Sequence, residues 1–89
     1  MAAFKKDGVM LGIGPRKQGI GKNGPYDFCE VFIGFPRKNW EGLYVVHDRI
    51  PGETLDRLPL ITGVDVRCLI YYENYNPSLI DILEVVVDA

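Results

Sequence analysis

The chain reads as an all-β protein, and three observations say so. Short apolar or alternating runs recur between glycines and prolines, no apolar run keeps a 3.6-residue period beyond about two turns, and a β-branched cluster, Val85–Val87, stands in the last apolar run. At 89 residues it makes one domain, spanning residues 1–89, near the size at which a single core must be dense to be stable without metals or cross-links. A composition of 47% hydrophobic and 25% charged residues is that of a globular domain, not of a disordered chain.

The first strand is expected over Gly8–Ile13, where Val9, Leu11 and Ile13 alternate with Met10 and Gly12. A glycine-rich segment follows. The second strand is expected over Tyr26–Gly34, with Phe28, Glu30 and Phe32 on one face and Cys29, Val31 and Ile33 on the other. At least one of Phe28 and Phe32 is expected in the core. Pro36 ends that ladder, Asn39 suits a turn, and Gly42 opens a third strand over Leu43–Ile50. Pro51 and Gly52 break it, and Thr54, Leu55 and Leu58 fit one or two helical turns before Pro59.

The fourth strand follows Gly63, with Val64, Val66, Cys68 and Ile70 on one face and Asp65, Arg67, Leu69 and Tyr71 on the other. A turn at ENYNPS leads to the fifth strand, Leu79–Asp88; Leu79–Leu83 alone also reads as helix, and the β-branched run Val85–Val87 favours strand. Five strands with a short helical piece between the third and fourth is the order of a small five-stranded Greek-key barrel of the OB type. An SH3-like barrel is the nearest competing architecture.

The segment Gly12–Phe28, GIGPRKQGIGKNGPYDF, collects five glycines, three cations and two aromatics. Glycine lets backbone approach a partner closely, cations attract an anion, and aromatic rings offer flat faces to planar groups. A P-loop does not fit. Gly14 is followed by four residues and then Gly19, yet Ile20 stands where the lysine belongs and no Ser or Thr follows Lys22. The segment is expected instead as a flexible, basic β-arm at about residues 12–25.

The net charge of −2 hides an uneven distribution. Residues 1–39 hold seven cations and three anions, and residues 40–89 hold three cations and nine anions. Further cations and aromatics cluster at two turns, Arg37, Lys38 and Trp40 in one and Tyr75 near the other. Phosphate attraction beside stackable rings is the pattern that binds unpaired bases. Cys29 and Cys68 lack the spacing of a zinc or redox motif and are expected as buried thiols. No cofactor, no metal and no catalytic residue is expected, since His47 is the sole histidine and no nucleophile, base and oxyanion donors group together. The N-terminal segment lacks the apolar stretch of a signal or membrane anchor, so a cytoplasmic location without membrane association is expected.

The chain resembles the small dimeric gene five protein family of filamentous-phage single-stranded DNA-binding proteins. The likeness rests on length, on NGPYDF at the end of the basic arm, on the cysteine of CEVFIGF, and on NPSLIDILEVV. It implies a non-enzymatic homodimer that binds single-stranded DNA in phage or plasmid replication or packaging, with Arg16 and Tyr26 as arm contacts and Lys17 and Lys22 beside them. The chain departs from that pattern in placing Asn76 where the family has an aromatic, with Tyr75 one residue earlier, and Ile82 where it has a cation. The expected interface is therefore Arg16, Lys17, Lys22, Tyr26, Arg37, Lys38, Trp40 and Tyr75. Nothing in it selects against RNA by its 2′-hydroxyl. The other function class is a small β-barrel protein–protein interaction module in a phage or replication assembly, to which the acidic C-terminal half and exposed aromatics would contribute.

Overall fold

The computed structural model describes residues 2–87. It is mostly antiparallel β-sheet, with strands β1 (Phe4–Ile13), β2 (Lys17–Gly21), β3 (Gly24–Pro36), β4 (Leu43–Pro51), β5 (Asp65–Glu73) and β6 (Asn76–Val86) and one short helix, α1 (Thr54–Arg57). Asp88, assigned to the last strand from sequence, lies outside the described residues. Among the described residues no helix is long and apolar enough to cross a membrane.

Six strands form where five are expected, because the glycine-rich arm is itself paired. Lys17–Gly21 runs antiparallel to Gly24–Phe28, so backbone hydrogen bonds hold a segment whose side chains have little intrinsic preference for a strand. Strand β3 is the hub. Its Val31–Gly34 stretch pairs with β1, Phe28–Pro36 pairs with β4, and Phe28 meets both Lys17 and Pro51, which puts β2 on the edge opposite β4.

Strand β1 serves two partners in turn. Phe4–Val9 pairs with β5, Val9–Ile13 with β3, and a register shift between Met10 and Gly12 marks the handover; such an irregularity bends a strand and increases its twist. The ladder therefore reads β4–β3–β1–β5–β6. Its two ends come together, since Asp48 on β4 accepts a 2.9 Å hydrogen bond from the backbone N–H of Leu79 on β6.

Helix α1 sits where Pro51 and Gly52 release the chain from β4 and ties that corner to β6. The buried Thr54 hydroxyl donates to Asp81 at 2.7 Å, and Arg57 reaches the carbonyls of Ile82 and Leu83. One helical turn would not persist alone. These contacts hold it.

Met10, Cys29, Val31, Ile33, Phe35, Val46, Ile50, Val66, Cys68, Ile70, Leu79 and Ile82 make the core. The alternation expected for β3 and β5 is present, with Cys29, Val31, Ile33, Val66, Cys68 and Ile70 inward and both thiols buried. Phe28 and Phe32 do not follow expectation. Neither belongs to the core, because the inward positions of β3 are already filled by Cys29, Val31, Ile33 and Phe35, leaving the even-numbered rings on the outer face.

Candidate functional site

The outer face of β3 carries Tyr26, Phe28, Glu30 and Phe32 in succession, as a period of two requires. Tyr26 and Phe32 are each 44% exposed. Tyr26 and Phe28 are neighbours, with ring centroids 5.9 Å apart and planes inclined by 41°. Across the β3–β4 pair, His47 lies opposite Phe32 and stacks on it at 4.3 Å with planes 12° apart. The result is a row of exposed rings along one strand.

Glycines on the neighbouring strands leave the space for those rings. A methyl group at Gly19 would meet the Tyr26 hydroxyl at 2.5 Å, and one at Gly12 would meet the Phe32 ring at 3.2 Å. The glycines of the arm thus serve the aromatic row as well as the turn: Gly24, which closes the β2–β3 hairpin, has φ of 105°.

Cations flank the row. The Arg49 guanidinium lies 4.3 Å from the Phe28 centroid and the Lys17 ammonium 6.0 Å from it. No carboxylate of the described residues is within ion-pair distance of either. Glu30 is the one acid in the row, with its carboxylate 3.7 Å from His47 Nε2. A face of this kind presents π-surfaces and free positive charge together, which suits a ligand made of planar groups on an anionic backbone.

Arg16 is placed elsewhere. Its Nε and Nη2 donate to Asp27 at 2.8 and 2.6 Å, and its Nη1 donates to Asp56 of α1 at 2.7 Å. Asp27 is on the face of β3 opposite to Tyr26 and Phe28, so Arg16 is turned from the row. Donating to the Asp27 and Asp56 carboxylates raises the Arg16 pKa further, and accepting from Arg16 holds the Asp27 carboxyl below the usual carboxylate range. Arg16 pins the base of the arm to the helix.

The residues expected at the interface fall into two groups. Lys17 and Tyr26 join the aromatic row, with Lys22 at the tip of the β2–β3 hairpin. Arg37, Lys38 and Trp40 occupy the β3–β4 turn and Tyr75 the β5–β6 turn. These lie at the far end of β3, roughly 40 Å of extended chain from the arm tip at about 3.3 Å per residue. There Arg37 sits over Trp40 and Tyr44, at 5.7 and 4.7 Å from their ring centroids, and Trp40 is 70% exposed.

Tyr75 is 97% exposed and has φ of 66° next to Asn74 with φ of 50°. Two positive φ values in a two-residue hairpin loop are the I′ geometry, in which the second position favours glycine. A tyrosine there costs conformational energy and gains no packing.

Phe32, His47 and Arg49 were not among the expected interface residues. Their signal lies in pairing rather than in any motif: once β3 and β4 are set in register, Phe32 and His47 fall opposite each other and Glu30 opposite Arg49. Among the described residues no group of three or more His, Cys, Asp or Glu is placed to hold a metal ion. No family model, no curated protein and no solved structure matches the chain.

Proposed function

We propose that this protein binds single-stranded DNA without catalysing a reaction, as a homodimer acting in phage or plasmid replication or packaging. The observation that carries the reading is the row Tyr26, Phe28 and Phe32 with His47 on an exposed sheet face, beside Lys17 and Arg49, which have no carboxylate partner among the described residues. Rings of this kind stack on unpaired bases of any sequence, each stack contributing about 1–3 kcal/mol. The cations neutralise phosphates.

The architecture supports it. A ladder β4–β3–β1–β5–β6 whose ends approach, with α1 between β4 and β5, is compatible with a five-stranded OB barrel to which β2 would add an arm. OB barrels receive oligonucleotides on the face of their second and third strands and on the loops after the first and fourth. In this chain that face is β3–β4, and those loops are the basic arm and the Tyr75 hairpin. Lys17, Lys22 and Arg49 supply the phosphate contacts near the row, and Arg16 positions the arm.

A second reading, a protein-interaction module, is favoured by Leu11, Leu43 and Val45, exposed apolar side chains that adjoin the row around Gly34. A second copy of the chain would cover the same patch in a homodimer. Light scattering separates the two, a 20 kDa species being expected for twice the 10.0 kDa chain.

The test of function is fluorescence anisotropy with labelled oligo(dT), a mixed-sequence strand, an RNA strand and a duplex over a salt series. Single strands should bind far better than duplex, with a log–log salt slope of about −0.7 for each phosphate neutralised. Phe28→Ala should weaken binding to every single strand with the slope nearly unchanged. Absence of binding to any single strand at low salt would leave the interaction module as the better reading.

A further inference from the structure

Three arginines are neutralised by carboxylates: Arg16 by Asp27 and Asp56, Arg57 by Asp81, and Arg67 by Asp7 and Glu84. Among the described residues no carboxylate is within ion-pair distance of Lys6 or Arg37. Lys6 lies opposite the buried Cys68 in the β1–β5 ladder, which puts it on the inward face of β1 at the open end of the core, where an apolar side chain is expected. Its ammonium lies 5.7 Å from the Phe35 centroid, and Arg37 approaches the same mouth stacked on Tyr44.

Together with Tyr72 and Tyr75 these residues line a cavity of about 30 Å³, and no acidic residue is among its walls. In a chain with twelve acids against ten cations, two cations converging on a concave, carboxylate-free mouth leave a local positive charge that folding alone does not balance. Three phenols that can donate hydrogen bonds share the lining with the cations, a donor set matched to a tetrahedral oxyanion. The cavity itself is small, so the oxyanion is placed at its mouth between the two cations and a whole nucleoside does not enter. Tyr75, at its rim, is the nearly fully exposed ring held at the strained hairpin position.

We propose that this pocket is a phosphate subsite, in which Lys6 and Arg37 hold a phosphate group of the nucleic acid and Tyr75 stacks on the base of the same nucleotide. It is separate from the aromatic row, at the other end of β3. That the phosphate belongs to a nucleotide rests on the single-strand reading above. That the pocket takes phosphate does not.

The experiment is a ¹H–¹⁵N correlation titration of the full chain with inorganic phosphate, thymidine 5′-monophosphate and thymidine. Both phosphates should shift the amides of Lys6, Arg37 and Tyr72 in a saturable way and thymidine should not. Arg37→Gln, an exposed change that spares the fold, should abolish the response, and Lys6→Gln should weaken it. Phe28→Ala should leave it intact even if that variant no longer binds oligonucleotides. Equal, non-saturating shifts at Lys17 and Lys22, or a response that survives Arg37→Gln, would overturn the proposal.

Oligo(dT) with and without a 5′-phosphate then identifies the source. A terminal phosphate in the pocket makes the phosphorylated strand bind about tenfold more tightly, an advantage lost in Arg37→Gln. An internal phosphodiester makes the two bind equally and both weaken in Arg37→Gln. Equal binding that Arg37→Gln does not change would remove the pocket from the interface.

Discussion

Gly19 lies under the ring of Tyr26 on the neighbouring strand, so close that a methyl group there would stand 2.5 Å from the phenol oxygen. The tyrosine is held flat along the sheet because its neighbour has no side chain. Gly19→Ala should therefore lift the ring out of line with Phe28 while leaving the β2–β3 hydrogen bonds in place. The expected outcome is a loss of single-strand affinity close to that of Tyr26→Ala, within the 1–3 kcal/mol that a stacking contact contributes, with an unchanged circular dichroism spectrum. Full affinity in Gly19→Ala would show that the ring orientation is not used.

Part of this arrangement is legible before folding and part is not. The two faces of β3 are plain from its alternation, but Phe28 and Phe32 on one and Cys29, Val31 and Ile33 on the other are both apolar enough to be core. The odd-numbered residues go inside because the pairing of β3 with β1 and β4 puts Val31, Ile33 and Phe35 on the face shared with Met10, Val46 and Ile50. The outcome is set by long-range pairing, which alternation within one strand does not carry. Likewise Arg16 sits beside Lys17 in sequence yet points to the other face, and one of its partners, Asp56, is forty residues away. The turns were easier. Asn39 and Gly42, expected at the β3–β4 turn, do have positive φ, since that property belongs to the residue and its immediate neighbours.

Because Arg16 already has two carboxylate partners, its removal should not change the number of counterions released on binding. Arg16→Ala should lower affinity through a looser arm and leave the salt slope as it is, whereas Lys17→Ala should flatten the slope by about 0.7. The same contact has a pH signature. Asp27 has a lower pKa in the folded chain than when unfolded, so its contribution is complete above the ordinary carboxylate range and is lost as pH falls through the depressed folded value. Protection of the β2 amides, measured against the intrinsic exchange rate at each pH, should fall over that acid window in the native sequence, and should already be low at neutral pH in Arg16→Ala.

Tyr75→Gly should stabilise the fold and weaken binding. Glycine relieves a left-handed conformation that costs a residue with a side chain about 1–2 kcal/mol, and nothing is lost from the core because the ring is 97% exposed. The denaturation midpoint should rise while affinity for single strands drops. A midpoint that falls would mean that the ring packs in solution, and the claim that it is kept for a ligand would fail.

Cys29 and Cys68 test the inward face of the sheet directly. Burial pushes both thiols up, Cys68 to about 12, and the Cys29 Sγ donates a hydrogen bond to the Gly14 carbonyl at 3.1 Å. A thiol held protonated and enclosed is a poor nucleophile. Neither should react with a thiol reagent at neutral pH in the native protein, and both should react at once in denaturant. Since each folded pKa lies above its unfolded value, the unfolded chain loses its thiol protons first as pH rises. The native state should thus be fully supported by these groups below about 9 and lose that support progressively towards about 12. Cys68→Ser, which carries no such titration, should show a shallower fall in denaturation midpoint over this window. A native Cys68 that labels as fast as free cysteine would mean that β5 is slipped by one residue against β1, which would exchange the two faces of β5 and bring Arg67 and Leu69 inward in place of Cys68.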